Sequence, residues 1–415
     1  MTLLLAGVNV VPMLRSIALA SLVIALWAGL ARAQLPLDLT GSDLGPGVPA
    51  FRVRPGYRVT RALPQPLPLL RDARFIEFSS NGKTLFLSER RTGVILALRD
   101  PDQNGIYQTI TDFVRNRPGC QGMTFHDGWL YFGQSWDGSV SRARDTNGDG
   151  VADEVQYVLP PHTLPHGGGH PYEAVFVTDK NIYVSVSDPT NMMDQLPSER
   201  KCIYVFDLDG SNKRVFCTGV RNDEKLRYRP GTTEIWGFDN GTDRFGHDYG
   251  EADGVDQPIT DLNPPEEFNH YVQGAFYGHP YIVGNRIPRP EFAHRPDILK
   301  LARETTPPEW DVHAHWAVLG FTFITKDYFP DAKGDVFFAS HGSWDSVKPV
   351  GACVQRLMFD SVTGLPYGSL TVVDCQGPDR RYARPVDCAE APDGTVLFTS
   401  DEPPGLYRIS KSSRD

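Results

Sequence analysis

Short runs of β-branched and aromatic residues alternate along most of the chain with clusters of Gly, Pro, Asp and Asn, and helical periodicity is scarce. This pattern is typical of strands separated by tight turns, so it predicts an all-β protein. One unit recurs: an apolar pair, a turn with Asp or Gly, a strand rich in Leu, Phe, Tyr and Val, and then a Gly and another strand. Clear copies are SSNGKTLFLSERRTGVILAL, TFHDGWLYFGQSWDGSVSRAR and APDGTVLFTSDEPPGLYRI.

The central strands of these units fall near Leu87, Phe132, Val184, Trp236, Phe338 and Phe398. Repeats of roughly 45 to 60 residues with several strands each are typical of a β-propeller. We therefore predict a single six-bladed β-propeller over residues 51–415, preceded by an extension at 34–50. A pair of β-sandwiches is the alternative, and it fits less well because the repeat is long and regular. Residues 219–315 break the rhythm with Pro, Asp, Glu and Asn, and long loops often carry functional sites.

The first 33 residues have the layout of a secretory signal peptide. Arg15 precedes the apolar run Ile17–Leu30, and Ala31-Arg32-Ala33 follows as a cleavage site with small residues. A membrane anchor is the alternative, but the run is shorter than the ~20 residues of a membrane span. We expect a periplasmic or secreted protein with no membrane span after cleavage.

Composition excludes several classes of protein. The 415 residues include 41 Lys+Arg and 51 Asp+Glu, a net charge of −10, whereas a nucleic-acid binder should carry a basic face. The six cysteines contain no CxxC and no CxxCH, which excludes a zinc ribbon, a thioredoxin-type site and an attached c-type haem.

An oxidising compartment permits disulfides. Cys202 and Cys217 flank an apparent hairpin centred on an Asp-Gly turn, which would place them opposite each other. Cys353 and Cys375 are symmetric about a glycine, and Cys120 and Cys388 would pair across the fold. The alternative is that some thiols are buried and free.

The segment DTNGDGVADE offers oxygen ligands at Asp145, Asn147, Asp149 and Asp153 around two glycines. Hard oxygen ligands at alternate positions, with Gly at the sharp turn, are what a calcium loop requires. Gln156 stands where an EF-hand has Glu, so the prediction is an irregular structural Ca²⁺ loop, with a plain acidic turn as the alternative.

Two further segments carry candidate chemistry. TLPHGGGHPY places His166 and His170 around three glycines, where a histidine could act as a general base; the alternative is a surface loop with incidental histidines. Loops that bring Arg, His, Asn and carboxylates to one propeller face could bind an anionic ligand, because Arg pairs with carboxylates bidentately.

The order GVRN, IWGFDNGTD, PPEEFN and GAFYGHPY, followed by HGSWD and RPVDCAEAPDG, resembles the glucose/sorbosone dehydrogenase family. The resemblance extends from about Arg54 to Ile409. Soluble glucose dehydrogenases of that family are six-bladed propellers that use pyrroloquinoline quinone (PQQ) and Ca²⁺. The resemblance therefore implies oxidation of an aldose or sorbosone-type sugar, with electrons passed to an external acceptor such as a quinone or a cytochrome.

The resemblance also implies roles for individual residues. Arg221 and Asn222 match a quinone-contacting pair, with Arg221 near the reactive carbonyl. Asn240 lies in the cofactor loop, and Gly241 and Thr242 match the positions whose backbone carbonyls hold the cofactor's Ca²⁺.

Four more positions follow from the same resemblance. Glu267 and Tyr277 keep the spacing of a second, structural Ca²⁺ site. Arg384 matches an arginine that pairs with quinone carboxylates, and His341 lies near a cationic quinone contact. His170 fits the position of the catalytic base best, with His166 as the alternative.

The chain departs from the family pattern at four places. Gln121 does not align with the family's quinone-binding Gln, and no Lys occupies the cationic position. The HGGGHPY segment does not reproduce the motif of the catalytic base cleanly, and GHP replaces the usual GWP. Two other functions stay open. One is a lactonase-type hydrolase using Ca²⁺ held by Asn222, Asp239 and Asn240. The other is a non-catalytic propeller that binds sugar or protein.

Overall fold

The computed structural model describes residues 43–64, 70–170, 174–246, 257–377 and 380–413. The predicted signal peptide and the first part of the predicted extension lie outside these ranges, so both stay predictions. Among the described residues, no helix is long and apolar enough to cross a membrane.

The described chain is almost entirely β-structure. The strands are β1 Arg52–Val53, β2 Tyr57–Arg61, β3 Ala73–Phe78, β4 Leu85–Glu89, β5 Val94–Pro101, β6 Tyr107–Val114, β7 Cys120–His126, β8 Trp129–Gln134, β9 Ser139–Arg144, β10 Glu154–Leu159, β11 Val175–Val177, β12 Asn181–Val186, β13 Cys202–Asp207, β14 Arg214–Thr218, β15 Asp223–Tyr228, β16 Ile235–Asp239, β17 Glu266–Tyr271, β18 Ile282–Val283, β19 Ile287–Pro288, β20 Trp310–Val312, β21 Val318–Phe323, β22 Val336–Ser340, β23 Cys353–Phe359, β24 Pro366–Asp374, β25 Pro385–Glu390, β26 Val396–Asp401 and β27 Pro404–Lys411. The helical elements are α1 Ile259–Leu262, α2 Ile298–Glu304 and a 3₁₀ turn at Pro290–Phe292.

Six antiparallel sheets form the blades of a β-propeller, so the predicted fold class is confirmed. Blades 1, 2 and 3 are β3–β6, β7–β10 and β11–β14. Blade 4 is β15, β16, β17 and β20, blade 5 is β21–β24, and blade 6 is β25–β27 with β2. Because β2 pairs with β27, the start of the domain completes the last blade and closes the ring. β1 extends blade 5 by pairing with β24.

Each central strand predicted from the sequence is the second strand of a blade, namely β4, β8, β12, β16, β22 and β26. These strands read as apolar runs because neighbouring blades bury both of their faces. In blade 4, Phe238 stacks on Phe268 with ring centroids 4.2 Å apart and contacts Phe338 of blade 5 at 4.9 Å. Burying one such side chain contributes about 1.5–3 kcal/mol, so the inter-blade layers stabilise the ring.

The irregular stretch predicted at 219–315 belongs to blade 4. Residues 240–265 separate β16 from β17 and contain α1, and residues 272–309 separate β17 from β20 and contain the β18–β19 hairpin and α2. The first strands of the blades contact one another in a closed ring around the axis. We call the face at which these six first strands begin the upper face; β16 ends at this face, and residues 240–246 follow it there.

A buried ion pair ties three blades together below the upper face. The Lys225 ammonium donates to both carboxylate oxygens of Asp387 at 2.6 and 2.8 Å, and the Ile76 amide donates to Asp387 Oδ2 at 3.0 Å. The side chains of Lys225 and Asp387 are 5% and 0% exposed. β15, β25 and β3 are thereby joined through one carboxylate.

Replacing Asp387 by Ala should therefore lower the free energy of unfolding by about 3–5 kcal/mol, because it leaves a buried ammonium without its partner. Urea unfolding checks this. Glu154→Ala is the control, since Glu154 pairs with Arg144 at the surface and should cost at most about 1 kcal/mol. Equal losses in the two variants would contradict the role given to Asp387.

The predicted disulfides are wrong: all six cysteines lie in described segments as free, buried thiols. Cys202 opposes Thr218, and Cys217 opposes Ile203. A shift of one residue turns a side chain to the other face of a sheet, so Cys202 and Cys217 pack into different inter-blade clusters.

The other two predicted pairs fail for similar reasons. Cys353 opposes Asp374 rather than Cys375. Cys120 packs in the cluster between blades 1 and 2, whereas Cys388 packs in a different cluster beside blade 5.

Candidate functional site

A cavity of about 270 Å³ opens on the upper face. It is lined by loops and strand ends of several blades, and seven of the predicted site residues meet there. These residues are His170, Arg221, Asn222, Asn240, Gly241, Thr242 and His341. Residues more than a hundred positions apart in the chain converge because every blade delivers its inner strand to the same axis.

His170 presents one unprotonated ring nitrogen. Its Nδ1 lies 3.2 Å from the carbonyl oxygen of Thr190, which only accepts hydrogen bonds, so Nδ1 carries the proton and Nε2 holds the lone pair. Burial, together with the Arg221 charge, lowers the pKa of His170 below its usual value. The imidazole is therefore neutral at pH 7 and can accept a proton at Nε2.

His166 is placed differently. It is exposed and does not line the cavity, and its Nε2 lies 2.9 Å from His162 Nδ1. Of the two candidate bases, His170 is the one that the fold brings into the cavity.

Arg221 is buried and held on three sides. Its Nε and Nη2 donate to the carbonyl and side-chain oxygens of Asn191 at 3.0 and 2.8 Å, and Nη1 donates to the Asn240 carbonyl at 3.3 Å. The amides of Arg221 and Asn222 donate to Asp239 at 2.9 and 2.7 Å. A guanidinium fixed in this way is a preorganised positive charge at the cavity wall.

His341 is neutral, which differs from the cationic contact that the resemblance implies. Arg384 Nη2 donates to His341 Nδ1 at 2.9 Å, so Nε2 carries the proton and donates to Asp401 at 2.9 Å. Burial lowers the pKa of His341. The positive charge at this position is that of Arg384, whose guanidinium lies 4.6 Å from the ring centre of Trp344 at the cavity mouth.

Two arginines of the cavity, Arg74 and Arg90, were not predicted from the sequence, and Gln121 lies beside them without lining the cavity. Arg74 bridges Glu224 at 2.8 Å and Asp401 at 3.1 Å, and both Arg74 and Arg90 line the cavity. Gln121 is buried between Arg90 Nη1, at 3.3 Å, and Glu224, at 3.1 Å. An Arg or Gln at the start or end of a strand does not by itself indicate a binding site. These residues come together only when the six blades close into a ring.

The loop Asn240–Thr242 fits a hard cation. Asn240 Oδ1 is buried and has no hydrogen-bond partner among the described atoms, so it is free to act as an oxygen ligand. Gly241 packs closely against Pro264 and Pro265; a Cβ there would lie 2.7 Å from the Pro265 carbonyl oxygen. Glu266 accepts the Gly241 amide at 2.9 Å, and burial raises the pKa of Glu266 to about 7.

Glu267 and Tyr277, the predicted structural Ca²⁺ pair, line a second cavity of about 20 Å³ beside Arg221 and Asn240. Glu267 Oε1 accepts the Gly284 amide at 2.6 Å, and burial strongly raises its pKa. The Tyr277 hydroxyl donates to the His270 carbonyl at 2.5 Å. In the described ranges, no cluster of three or more His, Cys, Asp or Glu side chains is arranged to hold a metal.

The DTNGDGVADE loop lies on the opposite, lower face, between blades 1 and 2. Asp145 accepts the amides of Gly148 and Gly150 at 2.6 and 2.7 Å, and Asp153 accepts from Thr146 at 2.7 and 2.8 Å. Asn147 donates to Asp153 at 3.1 Å. The loop is therefore held by its own hydrogen bonds, and Ca²⁺ at Asp145, Asn147, Asp149 and Asp153 stays a prediction.

The chain is similar to known proteins in sequence and in fold. A family model described as TrAA12-like matches residues 198–412. An uncharacterised protein of Borreliella burgdorferi is 27% identical over 246 residues, 58% of this chain and 60% of that protein, so the chain spans less than two thirds of that protein's length.

Two solved structures share the fold. The holo form of the pyranose dehydrogenase PQQ domain from Coprinopsis cinerea superposes with a TM-score of 0.71, at 20% identity over 88% of this chain and 99% of that one. The calcium structure of a Trichoderma reesei carbohydrate-active enzyme of family AA12 gives a TM-score of 0.73, at 18% identity over 89% and 99% of the two chains.

Proposed function

Because the chain belongs to the TrAA12-like family, we propose that it is a PQQ- and Ca²⁺-dependent sugar dehydrogenase whose upper cavity holds the quinone. The observation that carries this proposal is the pairing, in one arginine-lined cavity, of a neutral His170 with a free Nε2 and a fixed Arg221 guanidinium. The Coprinopsis neighbour is named as a PQQ domain and the Trichoderma neighbour as a calcium structure, which supports both cofactors.

The residues present fit such a group. PQQ carries three carboxylates, and Arg74, Arg90 and Arg221 line the cavity, with Arg384 beside His341 and Trp344 at its mouth. Arg221, Asn222 and Arg384 would hold the quinone, and Arg384 would pair with a carboxylate. Asn240, Gly241 and Thr242 would hold its Ca²⁺, since Asn240 Oδ1 is an unused buried oxygen.

When bound, the quinone supplies a two-electron acceptor for the hydride of the sugar carbon, and the metal adds Lewis acidity. The protein's own residues move the proton and stabilise the developing charge. His170 Nε2 takes the proton from the hydroxyl on the carbon that is oxidised, and Nδ1–H stays on the Thr190 carbonyl throughout. Arg221 donates hydrogen bonds toward the position where negative charge develops.

The finer features of the proposal follow from the sequence. The leader at 1–33 supports a secreted or periplasmic protein. The proposed electron acceptor is external, such as a quinone or a cytochrome, in keeping with a sequence that carries no CxxCH motif for attaching a c-type haem. Aldoses and sorbosone-type sugars are the proposed substrates.

Turnover after reconstitution tests the proposal. The mature protein, stripped with EDTA, is incubated with PQQ with and without Ca²⁺, and dye reduction is followed with a panel of aldoses. We expect reduction that requires the sugar, the quinone and the metal together. Dye reduction that is independent of quinone, or none with any aldose, would contradict the proposed function.

A further inference from the structure

Both proposed catalytic side chains depend on one short segment, Ser187–Asn191. The His170 ring donates to the Thr190 carbonyl, and Arg221 donates to two oxygens of Asn191, the next residue. The distance between the base and the guanidinium is therefore set by how the loop carrying His170 lies on this segment.

That loop, residues 166–170, has few bonds of its own to the segment. The Gly169 amide donates to the Pro189 carbonyl at 2.8 Å. Gly168 has φ +84° and lies so close that a Cβ would stand 2.6 Å from the Pro189 carbonyl oxygen. Three consecutive glycines lose much conformational entropy on ordering, so such a loop requires an external tie.

Arg200 supplies that tie from the end of the β12–β13 connection, whose first residues are the segment Ser187–Asn191. Its Nε donates to the Ser187 carbonyl at 2.9 Å, and its Nη2 donates to the carbonyls of Gly167 and His170 at 3.0 and 3.2 Å. Every hydrogen bond described for this half-buried guanidinium ends on a main-chain carbonyl, of the loop or of the segment. One planar group thus joins the two pieces of backbone that hold the base.

We propose that Arg200 is a positioning residue that clamps loop 166–170 onto the segment Ser187–Asn191 and so fixes His170 Nε2 relative to Arg221. Its role in the reaction rests on the proposed function, whereas the clamp itself does not. The several donors of a guanidinium, in one plane, reach carbonyls on both sides at once; the single ammonium of Lys cannot keep that geometry.

Arg200→Lys keeps the charge and should lower kcat about 10- to 100-fold, because misplacing a catalytic group by about 1 Å costs up to about a hundredfold. KM for the sugar and affinity for PQQ should change little, since Arg200 does not line the cavity. The control is Arg214→Lys, an exposed arginine paired with Asp207 on an outer strand.

The clamp is tested without cofactor by hydrogen-exchange mass spectrometry of peptides covering residues 164–170. We expect at least tenfold faster exchange in Arg200→Lys than in wild type and Arg214→Lys, at unchanged thermal stability. Unchanged exchange would overturn the clamp whether or not the protein turns over sugar. If the wild type is active and Arg200→Lys shows faster exchange but an unchanged kcat, the positioning role is overturned. A wild type without activity would instead contradict the proposed function.

Discussion

Replacing His170 by Ala is expected to lower kcat by about 10²- to 10⁴-fold, the range for loss of a general base. The substitution removes the only ring nitrogen of the loop 166–170 that faces the cavity with a free lone pair, because His166 lies outside it. PQQ binding should persist, since the arginines remain. Single-turnover reduction of the bound quinone by an aldose measures the effect.

His166→Ala is the matched control, four residues away in the same loop and exposed. It should keep kcat within about twofold of wild type, in line with a surface substitution. If His166→Ala were the inactive variant, the assignment of the base would be reversed.

The pH profile adds a second readout for His170. A base must be deprotonated, and burial with the Arg221 charge lowers the pKa of His170 below 6.5. Activity should therefore be full at neutral pH and fall as the pH drops through that lowered pKa. An acid limb centred above 6.5 would argue against His170 as the base.

Replacing Arg221 by Gln is the second large expected effect, a loss of about 10²–10³ in kcat, as for removal of one preorganised donor. It should also weaken PQQ binding and move the acid limb of the pH profile upward, because the charge that lowers the pKa of His170 is gone. Steady-state kinetics across pH, together with quinone titration, measures all three effects.

Arg115→Gln serves as the control, since Arg115 is exposed and pairs only with Asp112 on blade 1 among the described residues. Because Arg221 also holds Asn191, a far-ultraviolet spectrum and a melting curve must first show that the Arg221 variant is folded. A folded variant with wild-type kcat and an unmoved acid limb would contradict the role given to Arg221.

The sequence was most informative where physical periodicity is strong. The second strand of each blade is buried on both faces, so its apolar run is visible at Leu87 or Phe338 without any tertiary information. The same strands reveal the six-fold repeat. Seven of the residues predicted from the motifs between them line one cavity.

Side chains whose role depends on register or on distant partners could not be predicted. Cys202 and Cys217 miss each other because the strands are offset by one residue, which no turn motif reveals. Arg74 joins Glu224 and Asp401, which lie 150 and 327 positions away, so only closure of the ring identifies it.

The geometry of the cavity also bears on the lactonase alternative. In that hypothesis, Asn222, Asp239 and Asn240 are the ligands of the catalytic metal. Both carboxylate oxygens of Asp239 accept main-chain amides, and Asn222 Oδ1 accepts the Ser187 hydroxyl at 2.9 Å. Of the three side chains, only Asn240 has an oxygen without a hydrogen bond to the described residues. This favours a Ca²⁺ whose coordination is completed by a bound ligand over a Ca²⁺ held by Asn222, Asp239 and Asn240 together.

Equilibrium titration of PQQ, in the presence of Ca²⁺, into wild type and Arg384→Gln tests whether the upper cavity holds the quinone. We expect saturable one-to-one binding to wild type at micromolar quinone. The affinity of Arg384→Gln should be at least about tenfold weaker, because a charge-assisted hydrogen bond contributes about 1.5–3 kcal/mol. No saturable binding to wild type would contradict a quinone held in the upper cavity, and equal affinity in the two proteins would contradict the quinone contact given to Arg384.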